Sequence, residues 1–318
     1  MNILITGCAG FIGTHFTNYW LDTHPTDRII GVDALTYAAN LCALEQLKRR
    51  ERFTFYHANI CDRETMDMVF ASELPDLVIH FAAESHVDRS IVSSALFVQT
   101  NVLGTQVLLD LSLAYGVKRF HQVSTDEVYG DLPLDSEKYF DETSPLLPNS
   151  PYSASKAAAD LLVLSYAKTH GLSVSISRSS NNYGAFQHSE KLIPKVIFCA
   201  MQQKNIPLYG DGRNERNWIH VLDHCRALDL IVHNAPDSSV YNVGGRTSLS
   251  NLSLVRMLLA QLQAEDSLIQ FVPDRKGHDR KYPLNTTKIE SELGFFPTIS
   301  FDTGLRETVQ FYKKLYKK

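Results

Sequence analysis

The sequence predicts a doubly wound parallel α/β sheet, and three features of its first half predict it. Short runs nearly continuous in apolar residues alternate with amphipathic stretches of helix length, and a glycine-rich turn follows the first run. Asn2–Thr6, Arg28–Val32, Phe53–His57, Leu77–Phe81, Arg119–Ser124 and Val174–Arg178 read as strands. Strands covered on both faces lose the apolar–polar alternation of a half-exposed sheet. Helices are expected near Phe11–Leu21, Leu41–Lys48, Arg63–Ala71, Asp88–Tyr115 and Tyr152–His170. Repeated strand–helix–strand units with right-handed crossovers build such a sheet.

Beyond Asn181 the rhythm changes. Short strands near Ile206–Tyr209 and Val240–Val243 stand among helices near Leu192–Gln203, Val221–His233, Leu252–Ala264 and Phe301–Lys314. The expected division is a sheet domain over residues 1–180 and a smaller lobe over residues 181–318, with at least one return to the main sheet. The terminal KKLYKK suits the negative end of a helix dipole.

The 318 residues are 44% hydrophobic and 21% charged, ordinary for a globular protein with a substantial core. A net charge of -4 gives no reason to expect nucleic acid or an anionic membrane as partner. Cys8, Cys42, Cys61, Cys199 and Cys225 are scattered and form no C-x-x-C pair, which suits a reducing cytoplasm. Met1 runs almost directly into the first strand, which argues against a signal peptide. Apolar runs such as Val196 to Met201 fall far short of the roughly 18 residues of a membrane span. The expectation is a soluble, cytoplasmic protein.

The N-terminus reads NILITGCAGFIG: a strand, then Gly7, Gly10 and Gly13, then a helix. Glycine lets the main chain approach a pyrophosphate, and the helix behind it offers free N–H groups and a positive dipole end. Asp33, just after the second strand, is placed to accept bonds from both ribose hydroxyls of NAD and to repel the extra phosphate of NADP. The expected cofactor is therefore NAD on a Rossmann-type sheet, with the G-x-x-G-x-x-G spacing of short-chain dehydrogenases.

The fifth strand ends in STDEVYG, Ser124 to Gly130, and chemistry in open α/β sheets gathers beyond the carboxyl ends of strands. PYSASK then puts Tyr152 and Lys156 four apart on one helix face. A free tyrosine is only ~0.1% ionised at neutral pH, so as a base it needs positive charge nearby. Lys156 and the nicotinamide of NAD⁺ are the candidates for that charge. An ordinary helix pair would be the better reading without the glycine turn and the polar strand end.

Taken together, TGCAGFIG, VDALTYAAN, HFAAESHVDRS, STDEVYG, PYSASKAAAD, SNNYG, EKLIP, GDGRNERNW and DRKGHDRKYPLN resemble the dTDP-glucose 4,6-dehydratase family along the whole chain. The resemblance implies oxidation of a nucleoside-diphosphate glucose at carbon 4, loss of water across carbons 5 and 6, and return of the hydride to carbon 6. It assigns Tyr152 as base for the oxidation, Glu127 as base at carbon 5 and Asp126 as acid toward the carbon-6 hydroxyl, with Thr125 and Lys156 beside them. Adjacent residues of an ideal strand face opposite sides, so both carboxyls reach one sugar only where the chain leaves strand geometry. Asp126 must also stay protonated, and both burial and the adjacent carboxylate push in that direction.

The same resemblance implies cofactor contacts from Gly7, Gly10, Phe11, Ile12, Gly13, Asp33, Ala34, Leu35, Thr36, Asn59, Ile60, Phe81, Ala82, Ala83, Ser85, Thr100, Tyr152, Lys156 and Asn182. It implies substrate contacts from Ser85, His86, Thr125, Asn181, Lys191, Leu192, Pro207, Tyr209, Arg216, Asn251, Arg275 and His278. Guanidinium groups at Arg216 and Arg275 match phosphate geometry. Several positions depart from the family pattern. Cys8 replaces a glycine of the phosphate turn, Asn59 an aspartate that meets the adenine, and Ala39 and Ala185 a glycine and a proline. Asn217, His220 and Asn285 change substrate-side segments and bear on the choice of thymine or uracil.

Three other functions compete: a UDP-sugar 4,6-dehydratase, a nucleotide-sugar 4-epimerase, and a non-catalytic NAD-binding regulator. The Asp126–Glu127 pair argues against the epimerase, and the intact tyrosine, lysine and acid pair against the regulator. Asp88–Tyr115 and Tyr152–His170 resemble the helices that pair relatives into homodimers. His220 and His224 have a zinc-like spacing, but no third ligand joins them and the dehydration needs none, so no metal is expected.

Overall fold

The computed structural model describes residues 1–317. In chain order the first half runs β1 (Asn2–Thr6), α1 (Phe11–Thr23), β2 (Arg28–Asp33), α2 (Leu41–Leu47), β3 (Phe53–His57), α3 (Arg63–Glu73) and β4 (Leu77–His80). It continues with α4 (Val87–Val92), α5 (Ala95–Phe97), a π-helical turn over Val98–Leu103, α6 (Gly104–Ala114), β5 (Arg119–Thr125), a 3-10 turn over Asp126–Tyr129, α7 (Pro151–His170) and β6 (Val174–Ser179).

The second half supplies β7 (Asn181–Tyr183), α8 (Leu192–Met201), β8 (Ile206–Tyr209), β9 (Glu215–His220), α9 (Val221–Asn234), β10 (Ser239–Val243), β11 (Thr247–Ser250), α10 (Asn251–Leu262), β12 (Ile269–Val272), α11 (Thr287–Leu293) and α12 (Phe301–Tyr316).

Seven strands form one parallel sheet in the order β10-β6-β5-β4-β1-β2-β3. Strand order reverses beside β1, and that reversal opens a crevice at the carboxyl ends of the strands. One face packs Phe120, Val174 and Ile176 beneath α3, α6 and α7. The other packs Ile3, Ile5 and Ile79 beneath α1 and α9. The β10 strand extends this sheet by pairing Val240 with Ile176. Two small sheets, β11-β9-β7 and β12-β8, stand apart with α8, α10 and α12 around a core that includes Ile197, Leu258 and Leu305.

The single helix expected over Asp88–Tyr115 is corrected. Ser93 is extended at φ -149°, separating α4 from the helical run that starts at Ala95. Serine competes with the backbone for hydrogen bonds and is a weak helix former, so the Ser93–Ser94 pair is a natural break. The π-helical turn then inserts an extra residue into each hydrogen-bonded ring. There buried Asn101 accepts from Glu84 N at 2.9 Å and donates to Glu84 O at 3.0 Å and Ser155 Oγ at 2.8 Å. That ties the loop after β4 to α7.

The continuous helical run Ala95–Ala114 is long and apolar enough by length and composition to cross a membrane, and half of it is buried inside the fold. The sequence reading, looking for unbroken apolar runs, passed over it. The strands β7, β9, β11 and β12 and the helix α11 were also not foreseen, being short and largely polar in segments such as ERNWIH and TSLS.

One carboxylate locks the C-terminal segment to α9. Asp223, fully buried, accepts from Thr298 N and Ile299 N at 3.1 and 2.9 Å, and from Arg226 at 2.7 Å. Removing it leaves those donors unpaired, so Asp223→Ala is expected to cost about 3 kcal/mol, read as a lower urea midpoint with an unchanged m-value.

Candidate active site

A cavity of 640 Å³ lies over the carboxyl ends of the strands, between the main sheet and the second half of the chain. Its floor is the β1–α1 turn. Gly7 has φ +72°, and a Cβ there would lie 2.7 Å from Ala82 N. A Cβ on Gly13 would meet Gly7 O at 2.1 Å, so these two positions admit only glycine. Gly10 caps α1 without a side chain, which leaves the first helix N–H groups facing the cavity. Cys8, in the same turn, is fully buried in the core, and burial pushes its thiol far up.

Asp33 ends β2, with its Oδ2 accepting from Ala9 N at 2.9 Å and its Oδ1 from Leu35 N at 2.8 Å. These bonds aim the carboxylate at the cavity, although burial raises its pKa above the ordinary value. Leu35, at φ +52°, is the one expected contact that does not line the cavity; it serves through the N–H that holds Asp33. All the other expected cofactor and substrate residues line it. Asn59 already accepts from Cys61 N at 2.9 Å, so its amide oxygen is tied to the local backbone.

The β5 strand stops at Thr125, and the next four residues turn into a 3-10 helix. Thr125 causes the turn locally: its hydroxyl accepts from Glu127 N at 3.3 Å and donates to Asp126 Oδ1 at 3.2 Å. Asp126 and Glu127 thereby leave strand alternation and both line the same cavity. Burial and then the charge of Glu127 raise Asp126 well above the usual carboxylate range. Burial also raises Glu127, opposed first by the Arg275 guanidinium.

Tyr152 and Lys156 enter from α7, which opens with Pro151 and a Ser150–Ser153 capping box. Lys156 Nζ donates to Val123 O at 2.8 Å and is lowered to about 8 by burial, opposed by Asp160. Asp160 is itself buried against Arg178 at 2.9 Å, and Arg178 lies over the Tyr129 ring at 4.9 Å. Burial, then the charge of Glu127, pushes Tyr152 up in the protein alone.

The opposite wall comes from the second half of the chain. Lys191 Nζ donates to Ser85 O at 3.1 Å, and His86 meets Glu190 at 3.2 Å. Arg216, buried against the Tyr282 ring at 4.5 Å, donates to Asp279 O at 2.9 Å. Tyr209 donates to Asp88 at 3.2 Å, and Arg275 sits 3.5 Å from the same carboxylate. His278 is bonded to Asp274 at 2.6 Å and lowered by burial to about 4. The buried polar atoms without a hydrogen-bond partner among the described residues include Asp126 Oδ2, Asn181 Oδ1 and Arg275 Nε. All three residues line the cavity, and buried polar atoms demand partners.

Sequence reasoning missed several lining residues, among them Glu84, Ser124, Ser180, Glu190, Trp218 and Tyr282. Tyr282 and Trp218 lie inside segments that carried the resemblance, but nothing in their spacing marks them as lining residues. Asn217, His220 and Asn285 do not line the cavity. Asn217 bonds Gly245 N and O at 2.8 and 2.9 Å, while His220 and Asn285 accept from Leu222 N and Thr287 N near helix starts. His224 is no partner for His220 in a metal site: fully buried, it donates from Nδ1 to Asn182 Oδ1 at 2.9 Å and fixes that amide.

Comparison with known proteins places this site in a family. A family profile described as GDP-mannose 4,6 dehydratase matches residues 4–308. A dTDP-glucose 4,6-dehydratase from Streptomyces niveus is 46% identical over 98% of this chain and 93% of its own. The chain belongs to the dTDP-glucose 4,6-dehydratase family. A solved dTDP-glucose 4,6-dehydratase from Streptomyces venezuelae with NAD bound superposes with a TM-score of 0.95 at 45% identity, over 99% of this chain and 97% of that one. A UDP-glucose 4-epimerase from Thermotoga maritima also superposes with a TM-score of 0.91, at 30% identity over 99% of each chain. Backbone shape therefore does not separate dehydratase from epimerase; the side chains in the cavity must.

Lys156 carries a stability consequence. Its pKa falls from the ordinary 10.5 to about 8 on folding, so between those values the unfolded chain binds more protons. Stability from this group therefore rises with pH from about 8 to 10.5, and its full penalty is present below 8. Lys156→Met is expected to raise the Tm at pH 7, by a margin that shrinks at pH 9.5.

Proposed function

We propose that this protein dehydrates dTDP-glucose to its 4-keto-6-deoxy sugar, with bound NAD as cofactor. The observation that carries the reading is the 3-10 turn at the end of β5, which brings Asp126 and Glu127 into the cavity that Tyr152 and Lys156 also line. On this reading residues 1–180 hold the cofactor and the reacting groups, and residues 181–318 form mainly the lobe that binds the nucleotide sugar.

The chain's own groups fit NAD. The glycine turn leaves room only for main chain, the start of α1 offers N–H groups to a pyrophosphate, and Asp33 presents the remaining oxygen lone pairs to a ribose. NAD, when bound, takes the hydride from carbon 4 and gives it back at carbon 6, and its oxidised ring is cationic. Tyr152 accepts the proton of the carbon-4 hydroxyl. Its burial and the charge of Glu127 hold the phenol protonated in the protein alone, and the positive charge of the oxidised cofactor ring, added to that of Lys156, opposes them. Thr125 positions the sugar hydroxyl and the turn at once.

With a ketone at carbon 4, the proton at carbon 5 becomes acidic. Glu127, opposed in its upward shift by Arg275 and Arg216, is the carboxylate that removes it. Asp126, held protonated by burial and by Glu127, gives its proton to the departing carbon-6 hydroxyl. Burial raises both acids, Asp126 farther than Glu127, and the roles are assigned on that difference. Arg216, Arg275 and Lys191 face the diphosphate from the other wall.

An epimerase has no use for an acid–base pair aimed at carbons 5 and 6. Incubation with dTDP-glucose should give loss of one water by mass, and UDP-glucose should be the poorer substrate. Inversion at carbon 4 with no water lost would sink the reading. Asp126→Asn and Glu127→Gln are each expected to slow water loss by about 10²–10⁴-fold. Glu127→Gln should also abolish solvent deuterium uptake at carbon 5, whereas Asp126→Asn should keep it.

A homodimer belongs to the same reading. Val92, Leu96, Leu103 and Leu161 are large apolar side chains exposed on α4, the run from α5 to α6, and α7, with Val92 88% exposed. Such a patch suits a second copy of the chain, and it accounts for the apolar Ala95–Ala114 run without a membrane. Leu161→Asp should convert the dimer to a monomer in light scattering, and an unchanged mass would place the contact elsewhere.

A further inference from the structure

On the face of the sheet covered by α1 and α9, outside the cavity, three ligand-type side chains converge. His24 is the residue on which α1 ends, and Asp229 and His233 lie four apart on α9. His24 Nε2 and His233 Nδ1 stand 3.1 and 2.8 Å from the same oxygen, Asp229 Oδ1. One ligand atom from each of the three lies within 4.8 Å of the others. The spacing His220–His224, which looks metal-like along the chain, leads elsewhere; the converging pair is separated by more than two hundred residues.

Ligands bound at ~2.0–2.1 Å on a tetrahedral metal stand roughly 3.3 Å apart. The two nitrogens already stand almost that far from the carboxylate oxygen, and an ion would replace the bond that His233 Nδ1 also makes to the Asp229 carbonyl at 3.0 Å. The rings are also restrained. Trp20 is stacked on His24 at 4.2 Å and on His233 at 5.2 Å. Tyr19 donates to the other carboxylate oxygen, Asp229 Oδ2, at 2.8 Å, the kind of outer bond that orients a ligating carboxylate. The site is neither closed nor fully exposed, with side-chain exposures of 25%, 19% and 37% for His24, Asp229 and His233.

We propose that His24, Asp229 and His233 bind one divalent ion of the zinc type, with water in the fourth position, clasping the end of α1 to α9. Two imidazole nitrogens and one carboxylate oxygen favour zinc, nickel or copper over magnesium and calcium, which prefer all-oxygen shells. The helix so clasped is the one whose first turn forms the floor of the cavity. The site goes beyond the dehydratase reading, and its test does not depend on it.

The test is a zinc titration of tag-free, chelator-treated protein against a competing chromogenic chelator, repeated with cobalt to read the tetrahedral absorption bands. The expected result is one ion per chain, at least tenfold weaker in His24→Ala and in His233→Ala, and weaker also in Tyr19→Phe. His233 sits in the last turn of α9 with a partly exposed ring, so its removal leaves the core intact and keeps the comparison valid. Two results would overturn the proposal: no stoichiometric binding by the parent protein, or parent-like binding by both histidine variants.

Discussion

The point at which β5 stops being a strand governs the rest of the site. A strand must alternate its side chains, and a pair of neighbouring acids on it can never serve one substrate. Thr125 ends that alternation with two local bonds, one to the backbone of Glu127 and one to the carboxyl of Asp126. Everything around it supports a turn of this shape. Lys156 bonds the carbonyl of Val123, three residues before the turn, and the Tyr129 ring at its far end is covered by Arg178. The turn therefore has a fixed point on each side, and the acids project from between them.

That arrangement leaves charge in a dry place. Lys156, Asp160 and Arg178 are all nearly inaccessible, and so is Asp126, which keeps an unbonded oxygen. Burial of this kind works against folding unless each group is matched, and here the matching is incomplete on the cavity side. Active sites commonly hold such unfinished groups, because a substrate completes them. The wall opposite follows the same logic, with Arg275 Nε and Asn181 Oδ1 buried and unbonded on residues that line the cavity.

Much of this was legible in the sequence because local rules and tertiary structure agree there. The six strands of the first half are mostly rich in apolar residues, so their positions follow largely from burial, and β1 to β6 all fall within a residue of expectation. The glycine turn is fixed by contacts a Cβ cannot make. Legibility fails where long-range contacts decide. β9 reads ERNWIH and β7 reads NNY, neither with a period, and they are strands only because they pair with each other and with β11. The break at Ser93 and the π-helical turn were hidden for the same reason: Asn101 is pulled inward by Glu84 and Ser155, partners that no helical pattern announces. The departures at Asn217, His220 and Asn285 looked like changes in nucleotide recognition and prove to be loop and cap contacts.

The pairing of β10 with β6 bears on how the chain comes to be folded during synthesis. The outermost strand of the main sheet is translated more than sixty residues after its neighbour, with β7, α8, β8, β9 and α9 in between. Until residue 243 has left the ribosome, β6 stays an uncovered edge with its backbone donors and acceptors unpaired. The α9 helix, which covers part of the sheet's other face, arrives equally late. The N-terminal six strands thus wait in a sticky, partly assembled condition, open to strand addition by a neighbouring nascent chain. Long-range pairing of this kind slows folding, and it places selection on the intermediate as well as on the finished enzyme.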